Sequence, residues 1–422
     1  MAKKLNLTLV MIITIIFSSC LIAGELTFGW NKMNDTGPIN DMQFMPGHDN
    51  FIFCTSFDMQ IRNTESGELV QSYPFGAFDI EFTPDSTRLI MLAVGGSTGR
   101  IEIRNLNDMS LIKEYKIPEN TDTEGLDIVE SGIGFSEMVV DPIRPYVYAI
   151  RNRAGYLEGN KYFSINRIVI INYETMEEVG VLSTGEEDYS LFEKIAISKD
   201  GKYLAVNNQG FARLRVWSLD TRQKVSDYRL YADGNSSDIW CEPSCTKFSE
   251  LNTDLIYFAG RFPQKDKNGF GGMLIYNISG NKIIDSTFAV GENGVGSGYF
   301  TFFDNEYRAI KLIGHYITIL NLKNKTIEQK FDRDSITNGQ VLGFGRTIYS
   351  QSKKIFLGYG NIYFSNFKNN LNTSTEDPIH FDSIIYPNPN TGIVTLETNC
   401  QNPIQSYEIS DINGLIIIRN TI

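Results

Sequence analysis

The feature that most constrains the fold is a short pattern that recurs seven times along the chain. Each copy reads apolar residue, any residue, Asn or Ser, apolar residue or Thr, then a polar turn and usually an apolar pair. The third position falls at Asn63, Asn105, Asn172, Ser218, Asn277, Asn321 and Asn366. Such self-similarity indicates a repeat architecture, in which each unit buries its apolar surface against the next.

The spacing of the copies indicates what one unit contains. Successive copies lie 42, 67, 46, 59, 44 and 45 residues apart, and two further strand-like runs precede each one. An Asn or Ser in the third position can bond its own backbone and hold a tight turn between two strands. Four strands at this period are typical of a propeller blade, so the sequence predicts an all-β, seven-bladed β-propeller over residues 25–367.

The seventh copy lacks a following fourth strand, because residues 368–381 form a polar linker rich in Asn, Ser and Thr. Residues 25–30, in contrast, form a strand-like run with no partner near it in sequence. A closed ring removes the exposed edge that an incomplete blade would present. We therefore expect the N-terminal strand to complete the last blade at its outer edge.

The repeats resemble those of WD-type and related bacterial surface propellers. The resemblance is plainest at Arg215-Val216-Trp217-Ser218-Leu219-Asp220, whereas the Gly-His pair of those families is missing from nearly every copy. The resemblance implies a rigid ring that binds other molecules.

Residues 1–24 have the pattern of a secretory signal peptide: Lys3 and Lys4, then an apolar run at 5–16, then small residues. The run is shorter than the roughly 20 residues that a membrane-spanning helix needs. Residues 17–20 also resemble a bacterial lipobox, with Phe17 where that family has Leu, so lipidation at Cys20 stays open. The pattern predicts an exported protein.

Residues 382–422 resemble the C-terminal sorting domain of the type IX secretion system of Bacteroidetes-like bacteria. The matching residues are Tyr386, Pro387, Asn388, Pro389 and Gly392, followed by a second strand that ends in Asp411-Ile412-Asn413-Gly414. The resemblance implies a small Ig-like β-sandwich that is read by the secretion machinery and removed after export.

The sorting-domain family usually continues with a further strand and a basic terminal motif, whereas this sequence ends at Ile422. We therefore expect an incomplete sandwich. The location is the cell surface or the extracellular space, or the periplasm if the shortened tail does not function.

Composition and motifs restrict the function. A net charge of −12 and a pI near 4.9 argue against nucleic acid as a partner. His48, His315 and His380 have no motif partner, and no nucleophile elbow, zinc-binding helix, phosphate loop or calcium loop is present in the sequence. We predict no catalytic residue, no metal site and no cofactor. A propeller enzyme, such as a lactonase-like or other hydrolase, remains the alternative.

The five cysteines are too few for a disulfide framework. Cys241 and Cys245 lie four residues apart in a loop, and in an oxidising compartment they can form a disulfide, which we predict over two free thiols. Cys54 lies in an apolar run and is predicted to be buried in a strand.

The two long spacings place insertions in four segments, at residues 118–134, 151–164, 231–244 and 261–271. These segments connect strand d to the next strand a, or strand b to strand c, and both connections emerge on one side of a four-stranded meander. The segments are rich in aromatic residues and also contain basic ones. From them we predict a ligand-binding face that contains Tyr156, Tyr162, Trp240, Phe270 and Arg153. The ligand is an unknown protein or glycan, and the expected protein is a monomeric, non-catalytic binding or scaffold propeller.

Overall fold

The structure is a computed structural model of the 422-residue chain. It describes residues 11–12, 26–95, 99–123, 126–182, 192–208, 213–229, 242–264, 267–287, 299–303, 306, 308–313, 316–323, 326–332, 346–360, 362–370, 384–387, 394–397, 406–411 and 416–421. The chain divides into two compact units. One unit is Leu26–Asn369, and the other combines Met1–Glu25 with Asn370–Ile422.

The larger unit contains seven antiparallel sheets of four strands each, which we number as blades 1 to 7. Blade 1 consists of Ile39–Phe44, Asn50–Thr55, Met59–Asn63 and Leu69–Tyr73, and blade 2 of Ala77–Phe82, Arg88–Ala93, Arg100–Asn105 and Leu111–Lys116. Blade 3 consists of Ile128–Val140, Tyr146–Leu157, Lys161–Asn172 and Glu177–Leu182, and blade 4 of Phe192–Ile197, Tyr203–Asn208, Arg213–Ser218 and Gln223–Arg229. Blades 5 and 6 consist of Glu242–Phe248, Leu255–Gln264, Lys267–Asn277 and Lys282–Thr287; and Phe300–Phe303, Arg308–Ile313, Tyr316–Asn321 and Thr326–Asp332.

Blade 7 combines the two ends of the larger unit. Its strands are Arg346–Ser350, Ile355–Gly360, Tyr363–Asn369 and the N-terminal strand Leu26–Met33, which pairs with Tyr363–Asn369 at the outer edge. The all-β, seven-bladed propeller is thus confirmed, and the strand expected to close the ring does so. The described residues contain no helix, and hence none long and apolar enough to cross a membrane.

Apolar side chains of neighbouring blades form the core. Between blades 1 and 2, Ile52 and Cys54 pack with Ile80 and Met91, and all four are fully buried. The predicted burial of Cys54 is therefore confirmed. Blades 1 to 5 each contribute to the cluster on either side, and this sharing explains why a repeat that cannot bury its own faces is stable in a ring.

The Asn residues of the repeated pattern hold turns, as expected. The Asn63 side-chain oxygen accepts hydrogen bonds from the amides of Glu65 and Ser66, both at 3.0 Å, and Asn172 does the same for Glu174 at 2.8 Å. These residues occupy the turn between the third and fourth strand of their blades. Their role is structural.

Five of the seven inner strands share an irregularity that the sequence did not reveal. Their pairing with the second strand shifts by one residue, as in a β-bulge, which re-aims the side chains beside it. The shifts lie between Ile39 and Asp41, Ala77 and Asp79, Phe135 and Glu137, Phe192 and Lys194, and Pro243 and Cys245. In blades 1 to 4 the residue just after the shift is charged.

Blade 3 is the largest blade. Its first three strands have 13, 12 and 12 residues, against five or six in blade 1. The additional length falls at residues 118–134 and 151–164, where the spacing predicts insertions. The second and third strands of blade 5 are also long, at 10 and 11 residues, and include the predicted insertion 261–271.

In the smaller unit, Ile384–Pro387 pairs with Val394–Glu397, and Ser406–Asp411 pairs with Ile416–Thr421 and with Met11–Ile12. Tyr386 and Pro387 of the predicted sorting motif lie on the first of these strands, whereas Asn388, Pro389 and Gly392 lie outside the described residues. The Ig-like sorting sandwich and its incompleteness stay predictions.

Candidate functional site at the channel mouth

A cavity of about 500 Å³ lies where the inner strands of the propeller begin. It is lined by residues of blades 1, 2, 3, 4 and 7 and by Tyr299, which directly precedes blade 6, and most of these residues are charged or aromatic. The residues on which the site argument depends are Phe78, Asp79, Glu137, Lys194, Tyr299 and Arg346. Small-molecule sites in proteins are commonly concave and contain a few convergent polar groups, and this cavity has both features.

The position of the cavity follows from strand direction. Each inner strand begins where the connection from the preceding blade arrives, and the turn between the second and third strands emerges on that same side. The cavity therefore opens on the face where the predicted insertions at 118–134, 151–164 and 261–271 emerge, whereas most of the fourth, 231–244, lies outside the described residues. Loops on a rigid scaffold are common places for binding residues.

Three carboxylates near the cavity connect successive inner strands. Each accepts a hydrogen bond from a backbone amide of the next blade. The oxygen–nitrogen distances are 3.3 Å from Asp41 to Ile80, 2.8 Å from Asp79 to Met138 and 2.8 Å from Glu137 to Ile195. These acidic residues thus have a structural role in addition to any role in the cavity.

Two basic side chains flank the acidic ones. Lys194 donates to Glu137 at 2.7 Å, and Arg346 donates to the backbone oxygen of Asn40 at 3.1 Å. The ring centroid of Tyr299 lies 4.7 Å from the Arg346 guanidinium carbon and 5.9 Å from the Lys194 nitrogen. Both cations therefore border one aromatic ring at the mouth.

The carboxylic acids at the mouth hold their protons more strongly than usual. Burial, followed by the charges of Asp41, Glu137 and Glu81, raises the pKa of Asp79 well above its ordinary range. Burial and the charges of Asp41 and Glu137 likewise raise the pKa of Glu81 to about 8. At neutral pH a large fraction of Glu81 is therefore an uncharged acid.

Burial also raises the pKa of Glu137, although the adjacent Lys194 opposes the shift. Burial lowers the pKa of Lys194, but the charge of Glu137, the Tyr299 hydroxyl and the hydrogen bond to Glu137 together raise it above its ordinary range. Within the described part of the chain, no group of three or more His, Cys, Asp or Glu residues is placed to hold a metal ion.

Two residues of the predicted binding face are exposed at the tip of blade 3. Tyr156 and Tyr162 lie directly opposite each other on neighbouring strands, with their ring centroids 5.7 Å apart and edge to face. They are 47% and 50% exposed. A second molecule can therefore reach both rings.

Arg153 has a different role from the one expected. Its side chain is buried, and its guanidinium donates to the backbone oxygens of Glu119 and Thr121 and to the hydroxyl of Ser131. It therefore holds the connection from blade 2 against the blade 3 hairpin, and its donors are used within the protein. The sequence could not show this, because the contact depends on the loop folding back.

Arg151 reinforces the same connection. Its guanidinium lies 2.9 Å from the carboxylate of Asp122 and 2.6 Å from that of Glu178, and only 2% of the side chain is exposed. The hydroxyl of Tyr115 donates to Glu178 at 2.8 Å. This network supports the exposed tyrosine pair on a rigid hairpin.

The remaining predicted site residues are only partly described. Trp240 and Cys241 lie outside the described residues, and Phe270 is placed on the strand Lys267–Asn277 with its side chain outside them. Cys245 has a buried, free thiol that lies 3.9 Å from the backbone oxygen of Phe300. The structure thus contains no disulfide at Cys245, because this side chain packs in the core between blades 5 and 6.

The sequence analysis missed the acidic residues of the mouth. A signal was present: Ile39-Asn40-Asp41-Met42, Ala77-Phe78-Asp79-Ile80 and Phe135-Ser136-Glu137-Met138 share the order apolar, any, acidic, apolar at the start of three inner strands. Single acidic residues near strand ends are usually solvated, so only their repetition was informative.

Fold and cavity together define the class: a seven-bladed β-propeller with a charged cavity at its channel mouth. The chain is similar to the solved β-propeller domain of Cps50 (Swd1) from Myceliophteria thermophila, with a TM-score of 0.54 and 10% sequence identity. The match covers 82% of this chain and 99% of that domain. At this identity the likeness concerns the fold alone. No protein-family model matches the sequence. No curated protein matches it.

Proposed function

We propose that this protein is an exported bacterial propeller that binds a ligand at its channel mouth without transforming it. The observation that carries the proposal is the cavity of about 500 Å³ on the insertion face, with Phe78 50% exposed at its edge. Apolar rings beside charged groups suit recognition of a polar molecule. The ligand is a protein or a glycan.

The proposed location depends on sequence patterns. The signal-peptide pattern at residues 1–24 and the sorting motif from Tyr386 to Gly392 support export by the type IX secretion machinery. We propose the cell surface or the extracellular space, and the periplasm if the tail does not function. Fractionation of cells that express the native gene tests this proposal, and protein found only in the cytoplasm would contradict it.

A second candidate is a propeller hydrolase, such as a lactonase-like enzyme. The observation that favours it is the position of Glu137, which lines the cavity and whose pKa is raised by burial, because a carboxylic acid with a raised pKa can act as a general acid. The mouth, however, shows no activated nucleophile among the described residues. We therefore prefer binding.

One experiment separates the two candidates. The purified full chain is applied to glycan and peptide arrays and is also incubated with lactones and glycosides. Binding to an array ligand without turnover supports the proposed function. Turnover that disappears in Glu137→Gln would instead assign the hydrolase. The absence of both array binding and turnover would contradict both candidates.

A further inference from the structure

We infer that the channel mouth binds an organic ammonium group, held by the carboxylate of Asp79 beside the aromatic side chains of the cavity. The inference rests on the proposed function and names the ligand chemistry of the same site. The ammonium group can belong to a free small amine or to a lysine side chain of a peptide. These two sources are separated by the experiment below.

The charged groups at the cavity are not balanced. Asp79 and Glu137 line it, and the charges of Asp41 and Glu81 also act on Asp79, whereas the cations that line it are Lys194 and Arg346. Lys194 pairs with Glu137, and Arg346 lies near Asp41, which also accepts a hydrogen bond from the Tyr359 hydroxyl at 2.9 Å. Asp79 and Glu81 have no ion-pair partner within the described part of the chain. This group of residues therefore contains two more carboxyl groups than cations.

The shape and surface of the cavity also suit an organic ammonium group. Phe78, Phe135 and Tyr299 line it together with Asp79, and about 500 Å³ accommodates a small organic molecule. Aromatic faces attract cations, and their apolar area suits the carbon atoms next to an ammonium group. A bare metal ion fits less well, since it requires several converging oxygen ligands, and no such group is found among the described residues.

The protonation of Asp79 and Glu81 also fits an ammonium ligand. Buried carboxyls without a cation keep their protons, and the pKa values of Asp79 and Glu81 are raised accordingly. An ammonium group would stabilise the charged carboxylates and release protons. The titratable or charged groups that face Asp79 and Glu81 from the neighbouring elements are Asp41, Cys54, Glu137, Lys194, Tyr299, Arg346 and Tyr359.

The test is isothermal titration calorimetry of the full chain with four probes. Putrescine represents a free amine, and acetyl-Gly-Lys-Gly-amide represents a lysine peptide. Butane-1,4-diol and succinate are the neutral and anionic controls. Titrations at about pH 7.5 in phosphate and in MOPS measure the protons released on binding, because the two buffers differ in ionisation enthalpy and neither carries a net positive charge. We expect at least one ammonium probe to bind with proton release, and neither control probe to bind.

Asp79→Asn is the decisive variant, since Asn keeps an oxygen that can accept from the Met138 amide. We expect it to weaken ammonium binding about tenfold or more. Glu114→Gln removes an exposed carboxylate from the same blade and is the matched control, for which affinity should not change. The carboxylate of Glu81 has no partner among the described residues. Glu81→Gln removes this titrating group and should therefore reduce the number of protons released on binding.

Three results would overturn the inference: no binding of either ammonium probe up to about 10 mM, equal affinity of Asp79→Asn and wild type, or equal binding of butane-1,4-diol. If array ligands that lack an ammonium group bind at the mouth while both ammonium probes fail, the inference is wrong and the proposed function stands. If nothing binds at the mouth, both are wrong.

Discussion

The carboxylate of Asp79 accepts a hydrogen bond from the backbone amide of Met138, with 2.8 Å between the two atoms. This bond joins the inner strands of blades 2 and 3, and the same side chain lines the cavity. One residue therefore couples the stability of the ring to the chemistry of its mouth. The consequence is that substitutions at Asp79 have to be chosen so that they separate the two roles.

Asp79→Ala should lower the free energy of unfolding by about 1–3 kcal/mol, because it leaves the Met138 amide without its acceptor in a buried place. Asp79→Asn should cost less, since an oxygen acceptor remains. Urea unfolding of both variants measures the difference. If Ala and Asn reduce stability equally, the hydrogen bond between the blades contributes nothing.

Glu81 should make the stability of the propeller depend on pH. Its pKa is about 8 in the folded protein and has its ordinary value of 4.5 in the unfolded chain, so folding favours the protonated form. Its stabilising contribution is complete below about pH 4.5 and is lost as the pH rises towards about 8. Glu81→Gln does not titrate and should keep its stability over that range.

Thermal unfolding of wild type and Glu81→Gln from about pH 5 to about pH 9 measures this effect. As the pH rises, the unfolding temperature of the variant should increase relative to that of wild type, by on the order of 2 °C or more in total. Parallel pH profiles of the two proteins would show that Glu81 is not desolvated as described.

The closing strand should contribute directly to stability. Trp30 packs between Phe51 and Phe364, with ring centroids 6.0 and 5.6 Å away, and its indole nitrogen donates to the backbone oxygen of Thr64. Trp30→Ala should cost about 2–4 kcal/mol. Met33 lies on the same strand but is 51% exposed, so Met33→Ala is the control and should change stability by less than about 0.5 kcal/mol.

Deletion of residues 25–30 extends the same test, because it removes most of the outer strand of blade 7. Chemical denaturation of the deleted protein should give a lower midpoint. An unchanged midpoint, either for the deletion or for Trp30→Ala, would contradict closure of the ring by this strand.

The state of the cysteines can be measured without a ligand. The structure has free thiols at Cys54 and Cys245, whereas the sequence predicts a link between Cys241 and Cys245. We expect alkylation of the denatured, unreduced protein to label Cys54 and Cys245, as read by peptide mass spectrometry. A peptide pair joined through Cys241 and Cys245 would instead restore the disulfide and require Cys245 to leave the core.

The number of blades and the closing strand could be predicted because local signals repeat. Asn63 and Asn172 hold their turns through their own backbone neighbours, so the pattern is readable without knowledge of the fold. The channel mouth could not be predicted in the same way. Asp79, Glu137 and Arg346 are far apart in sequence and meet only after the ring has closed.

Part of the binding face could be predicted because the repeat spacing locates the insertions. Tyr156 and Tyr162 are exposed on a hairpin whose length follows from the repeat spacing. The use of Arg153 within the protein depends on how residues 118–123 fold against that hairpin, and spacing contains no information about it. The exposure of the two tyrosines could thus be predicted, whereas the internal hydrogen bonds of Arg153 could not.

The hairpin and the mouth are two separate surfaces on one face. Phe135 at the cavity and Val129 near the hairpin tip are six residues apart on one strand, or about 20 Å. A small ligand therefore reaches only the mouth, whereas a peptide or glycan chain can contact both. For such a chain, Tyr156→Ala and Trp240→Ala should each weaken binding by about 1–3 kcal/mol.

The central claim is that the ligand occupies the channel mouth, and the affinity of Phe78→Ala for the tightest array ligand tests it most directly. Phe78 is half exposed at the cavity, so its loss removes an aromatic contact with little effect on the core. Leu251→Ala, at an exposed residue between the first two strands of blade 5 on the opposite face, is the control. We predict a loss of about 1–3 kcal/mol for Phe78→Ala and none for Leu251→Ala. Unchanged affinity in Phe78→Ala would contradict binding at the mouth.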